Sequence, residues 1–493
     1  MTGDLQVPDD LQKCQEMIVQ MHVRMQQMEI QLEQFIRSKF GSKAESLDPG
    51  QLRLFGAPPA PETESAETAT ETATEKSGRS HGRRKPAANL PRRRFVYELP
   101  EDERTCCDCK CELEVIGEDV SEQYDYTPAS IEVIEHVRLK YACKQCEEKI
   151  EVAAKPAVPI EKGLAAAGML AHVATSKFAD HLPLHRLEGI LKRSGAIIAK
   201  STMCDWMAAT ARILTPLYDV MKAEVLSSQI IWTDDTPVKM QDRNHEKNIR
   251  EARVWTYSGD RRHYFTVFDF TESRKRDGPQ KFLSGYKGFL QADAFAGYDC
   301  IYAGGNVVEV ACHAHARRKF FDALSTNSFL CTVALNIIRY LYLIERKAAT
   351  LSDEERAAYR CKFALPALRA YKKWLDFHQL RALPKSPFAK AIFYSLNNWE
   401  ALCRYVENGE LTIDNNRSER NVRPIAIGRK NWLFAGSREG GRTAAIITSF
   451  IATCKAYGVN PYSYLKDVIS KLTSGQEINL RGLLPDLWKA SNS

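Results

Sequence analysis

The 493-residue chain reads as a multidomain α/β protein. Three observations predict this. A heptad repeat opens the chain, paired Cys-x-x-Cys knuckles follow, and past residue 225 apolar strand-like runs alternate with helical stretches. Such a length exceeds one ordinary domain and should divide into three or more units. Apolar residues make up 44%, enough for sizeable cores. Net charge is +7, modest for the size, so its distribution says more than its sum. No run of eighteen apolar residues appears, so no membrane span is expected. The start, MTGDLQVPDD, is acidic and lacks the apolar core of a signal peptide. Fourteen cysteines in a long chain without such a leader point to a reducing interior, where clustered cysteines more often bind metal.

Taken in order, residues 1–45 carry the heptads. Leu11, Ile18, Met25 and Leu32 recur every seven residues, and Cys14, Met21, Met28 and Phe35 follow each by three. This a/d seam predicts a coiled-coil helix that self-associates, loosely specified because methionine is soft. Residues 46–97 are a disordered linker with a basic arm. GAPPAPETESAETATETATEKS has almost no large apolar side chain. GRSHGRRKPAANLPRRR then has seven Arg or Lys and no acid, and Arg83, Arg84, Lys85, Arg92, Arg93 and Arg94 read as an arm along phosphates.

Residues 98–155 form a zinc-binding domain in this reading. Cys106-x-x-Cys109 and Cys143-x-x-Cys146, with a strand hairpin expected between them, can close a tetrahedral zinc site. Cys107 and Cys111 are spare thiols, and the set could shift by one member. Residues 156–224 are helical. In HLPLHRLEGILKRSGAIIAKSTMCDWMAATARIL a helix ends near Gly195, and a second, capped by Ser201, turns Met203, Trp206 and Met207 inward. That predicts a helix-turn-helix-like DNA-binding region. His181 and His185 lack a third ligand nearby and read as surface or packing residues.

Residues 225–445 turn to strands. SQIIWTDDTPVKM, ARVWTYSG and HYFTVFDF precede a helix, PQKFLSGY, then come GFLQADAFAGYD and VVEVACHAHA. Three strands, a helix, a strand, then a further strand flanked by helices is the chain order of a ribonuclease H-like fold. A helical insertion is expected at about 325–405, and residues 446–493 as C-terminal helices. Asp234 ends the first strand and Asp293 the fourth, ends that are adjacent in such a sheet.

IDNNRSERNVRP, residues 413–424, sets one acid among Arg417, Arg420 and Arg423. As local structure it is a helix start: Asn416 the N-cap, Glu419 the third helical residue, Arg423 in salt-bridge reach, Pro424 closing the helix. As chemistry it brings a third carboxylate beside Asp234 and Asp293. Three carboxylates in one cleft repel unless cations lie between them, and Mg²⁺ suits hard oxygen donors. Arg417 and Arg420 would then hold a DNA backbone, and Arg429 and Lys430 meet phosphates. Trp432 either stacks on a base or packs in the core. Ile230, Trp232 and Asp234 share one strand face; Ile231, Thr233 and Asp235 share the other. Both faces are largely apolar, so periodicity does not choose the cleft aspartate.

WTDDTPVK, LQADAFAGYD, CHAHARRKFF and IDNNRSERNVRPIAIGRKNWLFAGSREGG resemble successive blocks of the insertion-sequence-66 family transposases, bacterial DDE enzymes of the TnpC type. The resemblance covers nearly the whole chain, including KFGSKAESL, IGEDVSEQYDYTPA and YLKDVI. It implies a transposase that binds the ends of an insertion sequence, cleaves DNA and joins the 3′ ends to target DNA by two-metal phosphodiester transfer. The implied Mg²⁺ (or Mn²⁺) ligands are Asp234, Asp293 and Glu419, with two such ions and one structural Zn²⁺. The resemblance selects Asp234 of the pair. Where the family usually has Asp-Glu-Thr-Pro this chain has Asp234-Asp235-Thr236-Pro237, and Asp235 is expected to make a hydrogen bond at the strand end. Cys312 and His315 match the C-x-x-H that follows the second Asp in several DDE families, and are expected to brace the site. Implied partners are double-stranded DNA (element ends and target), further copies through the coiled coil, and small accessory proteins of the same element, with no membrane. The implied location is the bacterial cytoplasm, at the nucleoid. The competing class is a catalytically inactive or regulatory zinc-containing DNA-binding protein, against which all three acids are present.

Overall fold

The computed structural model describes Met25, Met28 and residues 131–137, 140–142, 150–152, 156–245 and 247–492. Contacts divide the chain into Met1–Ser42 with Ile134–Ser493, and a second unit, Lys43–Val133, of which 131–133 are described, outside any regular element. The basic arm and Cys106, Cys109, Cys143 and Cys146 lie outside the described residues. Of the heptad, Met25 and Met28 are described, both helical and exposed. Strands β1 (Lys140–Ala142) and β2 (Ile150–Val152) pair antiparallel, Tyr141 opposite Glu151. They lie on either side of the second knuckle; most of the stretch between the two knuckles, where a hairpin is expected, lies outside the described residues.

Helices α1 (Ala167–Phe178), α2 (Leu184–Arg193) and α3 (Lys200–Leu226) come next. Gly195, at φ +90°, turns the chain after α2 as expected. Ala199 is the N-cap of α3, so Ser201 lies inside the helix rather than capping it. Met203, Trp206 and Met207 are buried, the inward face read from the sequence.

The sheet that follows contains β3 (Ile230–Gln241), β4 (Ile249–Ser258), β5 (Thr266–Thr271), β6 (Gly288–Gln291), β7 (Val307–Val310) and β8 (Phe434–Ala435). Its order is β5-β4-β3-β6-β7, with β8 also on β3. β4 lies antiparallel to β3 and β5; β6 runs parallel to both β3 and β7. Helix α4 (Asp277–Phe282) links β5 to β6, and α5 (Asp299–Tyr302) links β6 to β7.

On the edge opposite β4, β3 pairs with β6 at Ile230–Trp232 and with β8 at Lys239 and Met240. The stretch between is unpaired on that edge, and Pro237, with no N–H to offer, falls within it. The outer edge of β5 is closed by side chains. Phe268 N–H donates to Ser449 Oγ at 2.8 Å, and Tyr218 Oη donates to the Phe268 carbonyl at 2.8 Å. Ser449 belongs to α12 (Arg438–Ala456), which packs on β5 and α3, and α13 (Pro461–Leu472) packs on α1. The helices expected as a separate DNA-binding region therefore share a core with the C-terminal helices, which α14 (Pro485–Asn492) completes.

After β7 come α6 (His313–Asp322), α7 (Ser328–Ala348), α8 (Asp353–Gln379), α9 (Pro387–Asn397) and α10 (Trp399–Cys403), the expected helical insertion. By length and composition α7 would pass for a membrane span. Its apolar stripe, Cys331, Ala334, Ile338, Leu341 and Ile344, is instead buried with Leu368, Tyr371 and Leu375 of α8. The same core takes in Ile230 and Trp232 of β3 and Val310 of β7, so the insertion is built onto the sheet. Arg360, 1% exposed, staples it: the guanidinium holds Glu345 and the carbonyls of Tyr405, Asn408 and Leu411.

Helix α11 (Asn416–Trp432) carries Glu419. Asn415, not Asn416, is its N-cap, and no side chain caps it. Pro424 does not close the helix as expected but sits inside it. A proline there costs one hydrogen bond and about 3 kcal/mol in an isolated helix. Here Val422, Ile425 and Gly428 are buried, and Ile425 joins Val238, Val254 and Phe268 in one cluster, so packing overrides the local break.

Candidate active site

Along β3, Asp234 and Asp235 turn to opposite faces. Asp234 lies on the face of Trp232 and Val238, which α11 covers. Asp235 lies on the face of Thr233 and Trp255, and its carboxylate, 2% exposed, is fully engaged. Arg253 Nη1 donates to Oδ2 at 3.0 Å, and Arg274 donates to Oδ1 from Nε and Nη2 at 3.0 and 2.8 Å. The second expected carboxylate, Asp293, follows the end of β6 by two residues. Arg274 also approaches Asp293 Oδ2 at 3.6 Å while stacking on Phe295, 4.1 Å from the ring centre.

Glu419 reaches these strand ends because the turn before α11 is stitched to them. Gln291, wholly buried at the end of β6, donates to the Asp414 carbonyl at 3.0 Å and accepts from Thr412 Oγ1 at 3.0 Å. Thr412 Oγ1 also takes the Trp232 indole N–H at 3.0 Å. Asn415 Nδ2 donates at 2.8 Å to the Thr233 carbonyl, on the unpaired stretch of β3 next to Asp234. Tyr342 of the insertion donates to Asp414 Oδ2 at 2.9 Å. None of these positioning residues was singled out in the sequence. A glutamine closing the apolar run GFLQ was the available signal.

The carboxylates act on one another. Burial raises Asp234 to about 7, with Asp293, Asp235 and Glu419 adding to the rise against the Asp235 N–H it accepts. Asp293 is raised too, first by burial, with Asp235 and Glu419 adding and His315 and Arg274 opposing. Glu419 pairs with His315, Nδ1 to Oε1 3.9 Å, rather than with the expected Arg423. Cys312, buried, is the residue before α6, and its Sγ accepts the Asn415 N–H at 3.2 Å. Cys312 and His315 thus lie against the start of the Glu419 helix.

Two expected DNA contacts turn inward. The Arg417 guanidinium lies over Trp232 at 4.4 Å and Tyr264 at 4.7 Å and donates to the Gly259 carbonyl at 2.6 Å. Burial lowers its pKa. Arg429 donates to Thr236 Oγ1 at 2.9 Å and to the Pro237 carbonyl, filling the open edge of β3. A long cationic side chain settles on buried acceptors and aromatic faces when its helix presents it to a strand edge. Arg420 and Lys430 are exposed, as is Arg423. Exposed cations that the sequence reading passed over are Arg318 and Lys319 on α6, and Arg274, Lys275 and Arg276 after β5, a basic run legible in SRKRD. Trp432 is half-buried against the Val238 cluster, the packing alternative. His181 packs close to Gly428, where a β-carbon would meet its Nδ1 at 3.1 Å.

A family model described as Transposase IS66 family matches residues 162–443. Further models match residues 103–147 (zinc-finger binding domain of transposase IS66), 27–94 (Transposase C of IS166 homeodomain) and 449–485 (IS66 C-terminal element). The chain belongs to the IS66 transposase family. It is 31% identical to the uncharacterized protein y4hP of Sinorhizobium fredii (strain NBRC 101917 / NGR234), over 94% of this chain and 89% of that one. To y4jD of the same organism it is 33% identical, over 82% and 81%. Membership supports a DNA-binding transposase role, and the matched DDE domain that of an enzyme that cuts and joins DNA.

Proposed function

We propose that the protein cleaves DNA at the ends of an insertion sequence and joins the 3′ ends to target DNA, using Asp234, Asp293 and Glu419 as the metal ligands of a ribonuclease H-like domain. The observation that carries this is the convergence of three carboxylates, from β3, the end of β6 and α11, in one place where their charges oppose one another. Half-buried hard oxygen donors, two of them raised above the usual carboxylate range, fit a site made for divalent cations. Two Mg²⁺ or Mn²⁺ ions held there by Asp234, Asp293 and Glu419 would supply activation of the attacking oxygen and stabilisation of the leaving one. The strand order β5-β4-β3-β6-β7 supports the ribonuclease H-like reading.

Within that reading, Asp234 is held by β3, Asp293 by the turn just past β6, and Glu419 by the stitched turn before α11. Arg274 keeps Asp293 in place through Phe295 and Asp235. The exposed Arg420 and Lys430, with Arg318 and Lys319, steer and hold the phosphate backbone. Water attacks first and frees a 3′ hydroxyl; that hydroxyl then attacks the target strand, both in line, with no covalent protein–DNA intermediate. Cys106, Cys109, Cys143 and Cys146 hold one zinc, and the N-terminal heptads join copies. Labelled element ends incubated with protein, target DNA and Mg²⁺ test the proposal. Strand-transfer products are expected. Cleavage without joining would indicate a plain nuclease, and binding without either a regulatory DNA-binding protein.

A further inference from the structure

Cys312, His315 and Glu419 bring a sulfur, a nitrogen and an oxygen to one point, each ligand atom within 4.8 Å of the others. We propose that they form a second and softer metal site, for Zn²⁺ or a similar transition-metal ion, sharing Glu419 with the carboxylate cluster. This donor set suits borderline ions, not Mg²⁺, which seeks oxygen alone. Tetrahedral zinc, with bonds of about 2.0–2.3 Å, sets its ligand atoms roughly 3.3–3.7 Å apart. The 3.9 Å between His315 Nδ1 and Glu419 Oε1 needs only a few tenths of an ångström of closure.

Three features set these residues apart from an ordinary helix start. Cys312 Sγ accepts the Asn415 N–H at 3.2 Å and stands at the N-terminus of α6, two contacts that would favour a thiolate against the burial around it. Serine or aspartate would cap a helix better than cysteine, so capping alone gives no reason for sulfur. His315 Nδ1 is buried and has no hydrogen-bond partner. Burial otherwise pushes the Cys312 thiol up to about 12, so the ion displaces its proton, which leaves to solvent. Glu419 and His315 side chains are 39% and 29% exposed, so the site opens to solvent on their side. An ion there engages one Glu419 oxygen and leaves the other for the carboxylate cluster, fixing the direction of that side chain.

The site stands on this geometry and not on the reaction proposed above, and its test reads binding without DNA. Full-length protein with zinc in its knuckle is titrated with Co²⁺. About one further equivalent should bind, giving thiolate-to-cobalt charge-transfer absorption and tetrahedral d–d bands. Cys312→Ser, whose hydroxyl can still accept the Asn415 N–H, should lose the charge-transfer band. His315→Gln should shift the d–d bands and weaken binding at least tenfold, with an unchanged circular dichroism spectrum. No added absorption in the wild type, or a spectrum untouched by Cys312→Ser, overturns the site. A cobalt spectrum as expected in a protein that never cleaves DNA sinks only the transposase mechanism.

Discussion

Arg274 donates two hydrogen bonds to a single oxygen of Asp235, and the same guanidinium lies 3.6 Å from Asp293. The aspartate beside the proposed metal ligand is therefore the anchor of an arginine that leans on the second ligand. Asp235→Asn keeps a polar group but removes the charge that two guanidiniums share. It should lower stability by roughly 2–3 kcal/mol and reduce cleavage at least tenfold. The sequence alone suggests a milder outcome, a lost hydrogen bond at a strand end. Thermal unfolding and cleavage assays read both, and a fully active, equally stable variant would refute the anchoring role.

Asp234 should behave in the opposite way. Its pKa rises from 3.8 to about 7 on folding, so between those values the folded chain binds more protons than the unfolded one. Its contribution to stability is present below pH 3.8 and is lost as pH rises through about 7. Asp234→Asn removes that penalty. Without added divalent metal, the variant should be more stable than the wild type at pH 8 by up to about 4 kcal/mol, and so unfold at a higher temperature, with the difference vanishing below about pH 3.8. Mg²⁺ should stabilise the wild type and not the variant, and cleavage should vanish while end-binding persists. Equal melting at pH 8 would remove the case for a buried, repelled carboxylate.

Arg417 and Arg420 separate structure from DNA contact within one helix. Arg417→Ala strips two aromatic faces and the Gly259 carbonyl of their cation and should destabilise the fold by about 1–3 kcal/mol. The salt dependence of DNA binding by the folded variant should be unchanged. Arg420→Ala and Lys430→Ala should leave melting alone and each reduce the salt slope by about one. A salt slope that falls on Arg417→Ala would reverse this assignment.

Gln291→Leu tests the stitching of α11 to the sheet. It leaves the Asp414 carbonyl without this donor and Thr412 without this acceptor, a cost of about 1–3 kcal/mol. Because Glu419 follows that turn, cleavage should fall by more than tenfold under conditions where the variant is still folded. Full activity in the folded variant would show that Glu419 is placed by other contacts.

Zinc should be present at about one ion per chain in the knuckle and be lost when Cys143 and Cys146 become Ser. Elemental analysis of the purified protein, with Cys312→Ser as the control that leaves the knuckle intact, decides it. An unchanged zinc content in the double variant would exclude these ligands.

Much of the catalytic unit was legible in the sequence because its signals are local. Apolar runs broken by turn residues marked β3 to β7, and the Leu- and Ala-rich stretch marked the insertion. The periodic burial of Met203, Trp206 and Met207 followed from spacing alone. Acids read as strand ends and one glutamate in a basic segment named the candidate ligands by residue type, although β3 runs on past Asp234 to Gln241. Direction was not legible. Which of Asp234 and Asp235 meets α11 depends on which face of β3 that helix covers, and both faces read as apolar. Arg417 and Arg429 carry the same charge as Arg420, yet Trp232, Tyr264 and an unpaired strand edge draw them inward. Pro424 breaks an isolated helix, but the burial of Val422, Ile425 and Gly428 carries α11 through it. Sequence determined which chemical groups the site has. Tertiary packing decided where they point, because a side chain's direction is set by acceptors and surfaces supplied from distant parts of the chain.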